Sequence, residues 1–402
     1  MIRSAALRSP ALVAGLMALS LTALSGCSTS KLKPASLTDL KPTASLAAVW
    51  AVEVPKTPSG GSGEGSFAPA ASAGLAVVAA HTGDVQAFGL DNGAFRWKVS
   101  VGAPLAAGVG YGGGSGEGRF AVITRDGELV LLDEKGAFRW RVPMGGVSHE
   151  RPAVSGGQVV VRLADNRLAG FDLETGSRRW IFQRTMPSLA LHGQSGVRGA
   201  PSSAEAVSTA ALGNVDAVVT MPAGRLVWVN AATGAVRWEA QVATPKGSNE
   251  VERIADLLGA PAVQDDQVCV AAYQNQVACL QNETGRVAWR KTLAVGLPVA
   301  ADVTSVYAVD ASSRVFAFDA KTGSERWKSE AFFLRKLTSP VSLGQAVWMA
   351  DFEGYLHGLS RETGSPVGRI RLDGGRPSGA MLLTRVGLLI QTEGGRLSLL
   401  KP

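Results

Sequence analysis

Residues 172–180 read Asp172-Leu173-Glu174-Thr175-Gly176-Ser177-Arg178-Arg179-Trp180, and the phrase returns along the chain. Earlier copies are Asn92-Gly93-Ala94-Phe95-Arg96-Trp97 and Gly136 to Trp140. Later ones run Thr233-Gly234 to Trp238, Thr284-Gly285 to Trp289 and Thr322-Gly323 to Trp327. A seventh, Thr363-Gly364, carries Gly368 where the others have Trp. Glycine permits the positive φ that a tight turn demands. Tryptophan offers a large apolar face and an N–H that needs an acceptor once buried. A residue repeated once per unit is expected to pack units together, not to bind a ligand.

Alternating strands precede the turns: Asp84 to Leu90, Glu128 to Asp133, Arg167 to Asp172 and Arg225 to Asn230. The series continues with Gln276 to Gln281, Arg314 to Asp319 and Tyr355 to Ser360. An eighth strand, Arg396 to Lys401, ends the chain with no turn or Trp after it. Trp50, conversely, lies in a strand from Leu46 to Val54 with no turn before it. These halves complete each other, so the first strand is expected to form the outer edge of the last unit and close a ring. Shorter stretches opened by proline lie upstream of several turns, as in Pro152-Ala153-Val154 and Pro261-Ala262-Val263; Pro69, Pro298 and Pro340 open others. Four strands in a unit of about 40 residues make a propeller blade. The fold class is therefore all-β: an eight-bladed β-propeller of four-stranded antiparallel blades.

The N-terminus sets the compartment. Arg3 and Arg8 precede an uncharged apolar run from Ala11 to Leu24, and Leu24-Ser25-Gly26-Cys27 follows. This is a secretory leader, too short for a comfortable membrane span of about 20 residues. The tetrapeptide resembles the lipobox of bacterial lipoproteins, which makes Cys27 the lipidated first residue; Ser28 in place of Asp favours the outer membrane. The expected organisation is a leader over 1–26, a lipidated tether over 27–45 and the propeller over 46–402.

Of 402 residues, 48 are Gly and only 18% are charged, which suits short strands and tight turns. The net charge of +7 falls to +5 when Arg3 and Arg8 leave with the leader, and no basic run reads as a nucleic-acid footprint. Beyond Cys27 there are two cysteines, Cys269 and Cys279. A turn near Tyr273 to Asn275 would set them opposite each other, as a disulfide or as two buried thiols.

Function is expected where spacing is irregular. Trp180 to Pro201 spans 21 residues and Trp238 to Pro261 spans 23, against nine from Trp289 to Pro298. Both insertions join an outer strand to the next inner strand, so they should stand side by side on one face. Long loops of this kind are usual places for function. The first carries Met186-Pro187-Ser188-Leu189-Ala190-Leu191-His192, whose leucines either face a partner or tuck against neighbouring blades. The second, Ser248 to Leu258, could form a short helix capped by Ser248, with Val251, Ile254 and Leu258 on one face.

The Asp-x-x-Thr-Gly-x-x-x-Trp pattern resembles the repeat of pyrroloquinoline-quinone dehydrogenases. With the lipobox and the two loops, nearly the whole mature chain resembles the BamB family of outer-membrane β-barrel assembly lipoproteins. That resemblance implies a non-enzymatic scaffold, lipid-anchored on the periplasmic face of the outer membrane. It implies binding to the periplasmic (POTRA) domains of BamA, with unfolded outer-membrane proteins as a further partner and no cofactor. The Met-Pro-Ser-Leu-x-Leu run carries over Leu189 and Leu191. His192 stands where the family commonly has Arg, and Leu258 replaces a family Asp. Arg253 and Asp256 complete the implied partner site. The rival readings are a quinoprotein-like dehydrogenase or a ligand-binding propeller acting alone. Against the first, the chain lacks adjacent cysteines, and His81, His149, His192 and His357 have no metal-like spacing. Asp172 and Asp319 recur with the repeat, which predicts turn capping. Trp-Asp dipeptides and regular Gly-Gly doublets are absent, so WD40 and kelch repeats fit poorly.

Overall fold

The computed structural model describes residues 32–57, 66–113, 118–184, 191, 197–200, 216–245, 248–249, 251, 253–264 and 266–402. Cys27 and the leader lie outside this set, as do Leu189 and His192. Eight four-stranded antiparallel sheets are formed. Blades 1 to 7 follow in chain order at 70–100, 110–143, 153–182, 197–241, 257–292, 300–329 and 341–371. Blade 8 takes three strands from the end of the chain, and Ala47–Glu53 supplies its outer strand by pairing with Arg396–Lys401. The closure expected from the orphan strands is therefore present.

The eight third strands coincide with the alternating segments to within a residue, since one face of each packs on each neighbouring blade. Their interiors are largely buried, as in Glu128–Asp133, where Leu129 to Leu132 have no exposure. Antiparallel succession within a blade puts the outer-to-inner connections and the turns between second and third strands on one face, here the upper face. The Gly turns lie on the lower face.

The repeated Trp and Gly meet across blades. The indole N–H of Trp289 in blade 5 donates to Ala320 O in blade 6 at 2.8 Å. A Cβ on Gly323, whose φ is +67°, would come within 2.5 Å of the same ring. Trp50, Trp97, Trp140, Trp180, Trp238 and Trp327 repeat both contacts with the turns at Gly93, Gly136, Gly176, Gly234, Gly285 and Gly364. The turn aspartates cap as expected: Asp172 accepts the backbone N–H of Thr175 at 2.9 Å, and Asp319 that of Thr322 at 2.9 Å. The Thr322 backbone N–H, then its hydroxyl, hold the Asp319 carboxyl below its ordinary pKa.

The missing eighth Trp is explained by the ring itself. Blade 8 is built from two chain ends, so no turn joins its third and fourth strands. A Trp at position 368 would have nothing to dock under. Gly368 instead admits Trp348 of its own blade and the carbonyl of Ala44, each about 2.5–2.7 Å from where a Cβ would stand.

Two sequence expectations are corrected. The inner strand of blade 4 is Val197–Ala200, before Pro201 and not after it, because these residues find the backbone partners in Asp216–Met221. Pro261 falls inside the strand Leu257–Val263, at the irregularity between Leu258 and Ala262 where a missing N–H is tolerated.

Cys269 and Cys279 face each other on adjacent strands of blade 5 and are bonded. Closing a loop of ten residues' separation contributes about 2–3 kcal/mol in the chain-entropy description. The Cys269→Ala, Cys279→Ala variant is expected to unfold at lower urea by that amount. An unchanged midpoint would show that packing alone sets the stability of blade 5.

Candidate functional site

Both long connections emerge on the upper face, between blades 3 and 4 and between blades 4 and 5. The first begins at Arg184, whose guanidinium lies over the Phe182 ring and donates to Glu239 on the outer strand of blade 4 at 3.0 Å. Arg225 donates to the other oxygen of Glu239 at 2.8 Å. Partial burial pushes the Glu239 pKa up, but the bonds from Arg225 and Arg184 outweigh it and the pKa is lowered. An anionic Glu239 thus fixes the root of the first loop to blade 4.

Asp256 joins the two connections. Its side chain is buried, with one oxygen accepting the Leu191 N–H at 2.5 Å and the other the Ala223 N–H at 2.8 Å. Its carbonyl accepts from Tyr273 N at 2.8 Å. One residue therefore ties the first loop, the upper turn of blade 4 and the upper turn of blade 5. Ala223, which donates to this carboxylate, holds φ +55°. Leu191 is half-buried and packs against the apolar cluster shared by blades 5 and 6, which also includes Leu258 and is joined by Tyr273.

The expected helix over 248–258 is absent among the described residues. A single turn remains, with Arg253 N donating to Asn249 O and Ile254 N to Val251 O. Pairing of Leu257 and Leu258 with Ala272 and Ala271 draws the chain into an extended strand, and both leucines are buried. Val251 and Leu258, expected on one face of that helix, part company: Val251 is 70% exposed and Leu258 is buried. Arg253 lies at the surface. The site thus has a buried anchor, Asp256, a half-buried Leu191 and an exposed rim with Val251 and Arg253. Sequence reading missed Arg184 and Glu239 because their pairing is across blades; an apolar Val251 flanked by Glu250 and Glu252 was the signal for exposure.

No group of three metal-ligating side chains occurs among the described residues. His357 is buried, its Nε2 at 2.8 Å from Asp351, and its ring stacks on Phe332. His81 and His149 stand elsewhere on the upper face.

The family described as "Outer membrane protein assembly factor BamB" matches residues 81–329. A Bordetella pertussis outer membrane protein assembly factor BamB is 36% identical over 388 residues, 95% of each chain. The chain belongs to the BamB family. A Burkholderia pseudomallei BamB is 31% identical over 362 residues, 90% of each chain. Among solved structures, BamB from Moraxella catarrhalis superposes with a TM-score of 0.74 at 23% identity, covering 89% of this chain and 100% of that one. The quinohemoprotein alcohol dehydrogenase of Comamonas testosteroni gives 0.63 at 13% identity, covering 88% of this chain and 76% of its own. The dehydrogenases share the propeller, whereas BamB-family relatives share sequence along the whole chain. The BamB family consists of non-enzymatic assembly factors, and this chain is one of them.

Proposed function

We propose that this BamB-family propeller is anchored by lipid at Cys27 to the periplasmic side of the outer membrane and binds the POTRA domains of BamA through its upper face. The observation that carries the assembly role is 36% identity over 95% of both chains to an assembly factor of that family. The interface assignment is supported by the two adjacent long connections and the Asp256 clamp that seats Leu191 between them. Leu189 and Leu191 would supply the apolar anchors, with His192, Arg253 and Val251 at the rim. Asp256 acts by positioning, since its carboxylate is already occupied. Such a surface has leucines at its centre and polar groups around them. Unfolded outer-membrane proteins would use the same assembly without any chemistry from this chain.

Calorimetry with soluble residues 28–402 and BamA's periplasmic domains tests the reading. The Leu189→Asp, Leu191→Asp variant, checked for native far-UV and tryptophan spectra, is expected to lose about 2 kcal/mol or more of binding, roughly thirtyfold. Binding unchanged in the variant would keep the partner and move the interface. An absence of binding by the parent would remove BamA as the partner.

A further inference from the structure

The segment before the first strand is not a free tether over its described length. Ala35 N donates to Phe333 O at 2.9 Å, and Arg335 Nη1 donates to Ala35 O at 3.0 Å. Arg369 Nη1 donates to Thr38 O at 2.9 Å. Thr43 N and Ala44 N both donate to Val367 O at 2.9 Å. Residues 35–44 therefore form a strap across the outer strand of blade 7, starting on the upper face between blades 6 and 7.

Two features are built for the strap. Gly368 has no side chain, and a Cβ there would come within 2.5 Å of Ala44 O. Arg335 is buried, held by Asp351 at 2.7 Å and by Glu353, with the Phe352 ring beside it. Asp351 is in turn fixed by His357 and by the N–H groups of Glu353 and Tyr355. The carbonyl of Ala35 is thus gripped by a side chain that cannot swing away. Leu334 and Lys336 flank Arg335 at φ +57° and +49°, a cost accepted where the surroundings over-determine the loop.

We propose that the strap fixes how the propeller faces the membrane: the upper corner of blades 6 and 7 is the part held nearest the bilayer. The proposal rests on lipidation of Cys27. Eight peptide steps separate Cys27 from Ala35, which span at most about 28 Å when fully extended. A strap that let go would add ten more residues of reach and free the orientation; a gripped strap does not. The upper face, with both candidate loops, is then turned to the membrane side, and the lower face with its Gly turns is turned away.

The test uses the full lipidated chain in phosphatidylethanolamine/phosphatidylglycerol vesicles carrying an acceptor dye on the headgroups. A donor dye is placed at Lys336→Cys, at Asp126→Cys on the upper turn of blade 2, or at Gln345→Cys on the lower side of blade 7, all exposed positions. The bonded Cys269 and Cys279 do not react. Energy transfer is expected to be several-fold greater from position 336 than from 345, with 126 lower than 336. Insertion of about twenty Gly/Ser residues after Pro34, which leaves every strap contact in place, should level the three. Equal transfer from 336 and 345 in vesicle-bound parent protein would overturn the orientation alone. Failure of the protein to float with vesicles would overturn the lipid anchor, and the orientation with it.

Discussion

Replacing Trp289 by alanine will lower the stability of the propeller by about 3–5 kcal/mol. The indole is 7% exposed and lies in the apolar cluster shared by blades 5 and 6, with Phe316 and Phe318 from the next blade. Its removal leaves a cavity at a junction whose two sides belong to different sheets, so neither can close it without disturbing its own ladder. Trp289→Phe is expected to cost less, because Ala320 O keeps a bond from Gln267 Nε2 at 3.0 Å. The partner test is Gly323→Ala. In the parent it suffers both a positive φ and a clash with the ring. In the Trp289→Ala background only the first remains, so the double variant should fall short of the summed losses by about 1 kcal/mol or more. Urea midpoints of the four proteins decide it. Strict additivity would mean that the Trp–Gly contact is not what joins the blades.

Asp256→Ala is expected to be nearly as damaging, and in two ways. It leaves the N–H groups of Leu191 and Ala223 without their acceptor, and burying an unmet donor costs about 1–3 kcal/mol each. It also releases Leu191, so under the proposed function binding to BamA's POTRA domains should weaken through the freed loop. Asp256→Asn keeps one carbonyl oxygen and should fall between. Hydrogen exchange reads the clamp directly: the amides of Leu191 and Ala223 should exchange faster in the alanine variant while those of Gln276–Gln281, in the heart of blade 5, stay protected. Unchanged protection at both amides would dismiss the clamp.

The repeat made the blades legible because each turn needs its own chemistry locally. Gly at positive φ and an Asp or Asn cap are demands of a few neighbouring residues, so they are written as a spacing. The third strands were legible for a similar reason, since both faces of a blade are covered and the pattern repeats. Ring closure could be read from two orphan strands. The second loop could not be read locally. Ser248 to Leu258 has helical periodicity, yet Leu257 and Leu258 are claimed by Ala272 and Ala271, and backbone pairing in a buried sheet outweighs the weak preference of one short helix.

Sequence alone thus determined the number of blades, the strand that closes the ring, the Trp–Gly motif, the position of the cysteine pair and the two irregular connections. These depend on period, turn chemistry and length. Tertiary structure decided which residues meet across blades. Asp256 reaches Leu191 over 65 positions and Ala223 over 33, Arg335 reaches Ala35 over 300, and Gly368 is glycine because Ala44 lies against it. In a ring, such neighbours are set by closure, and the burial that turns an acid into a backbone clamp exists only after the blades have packed.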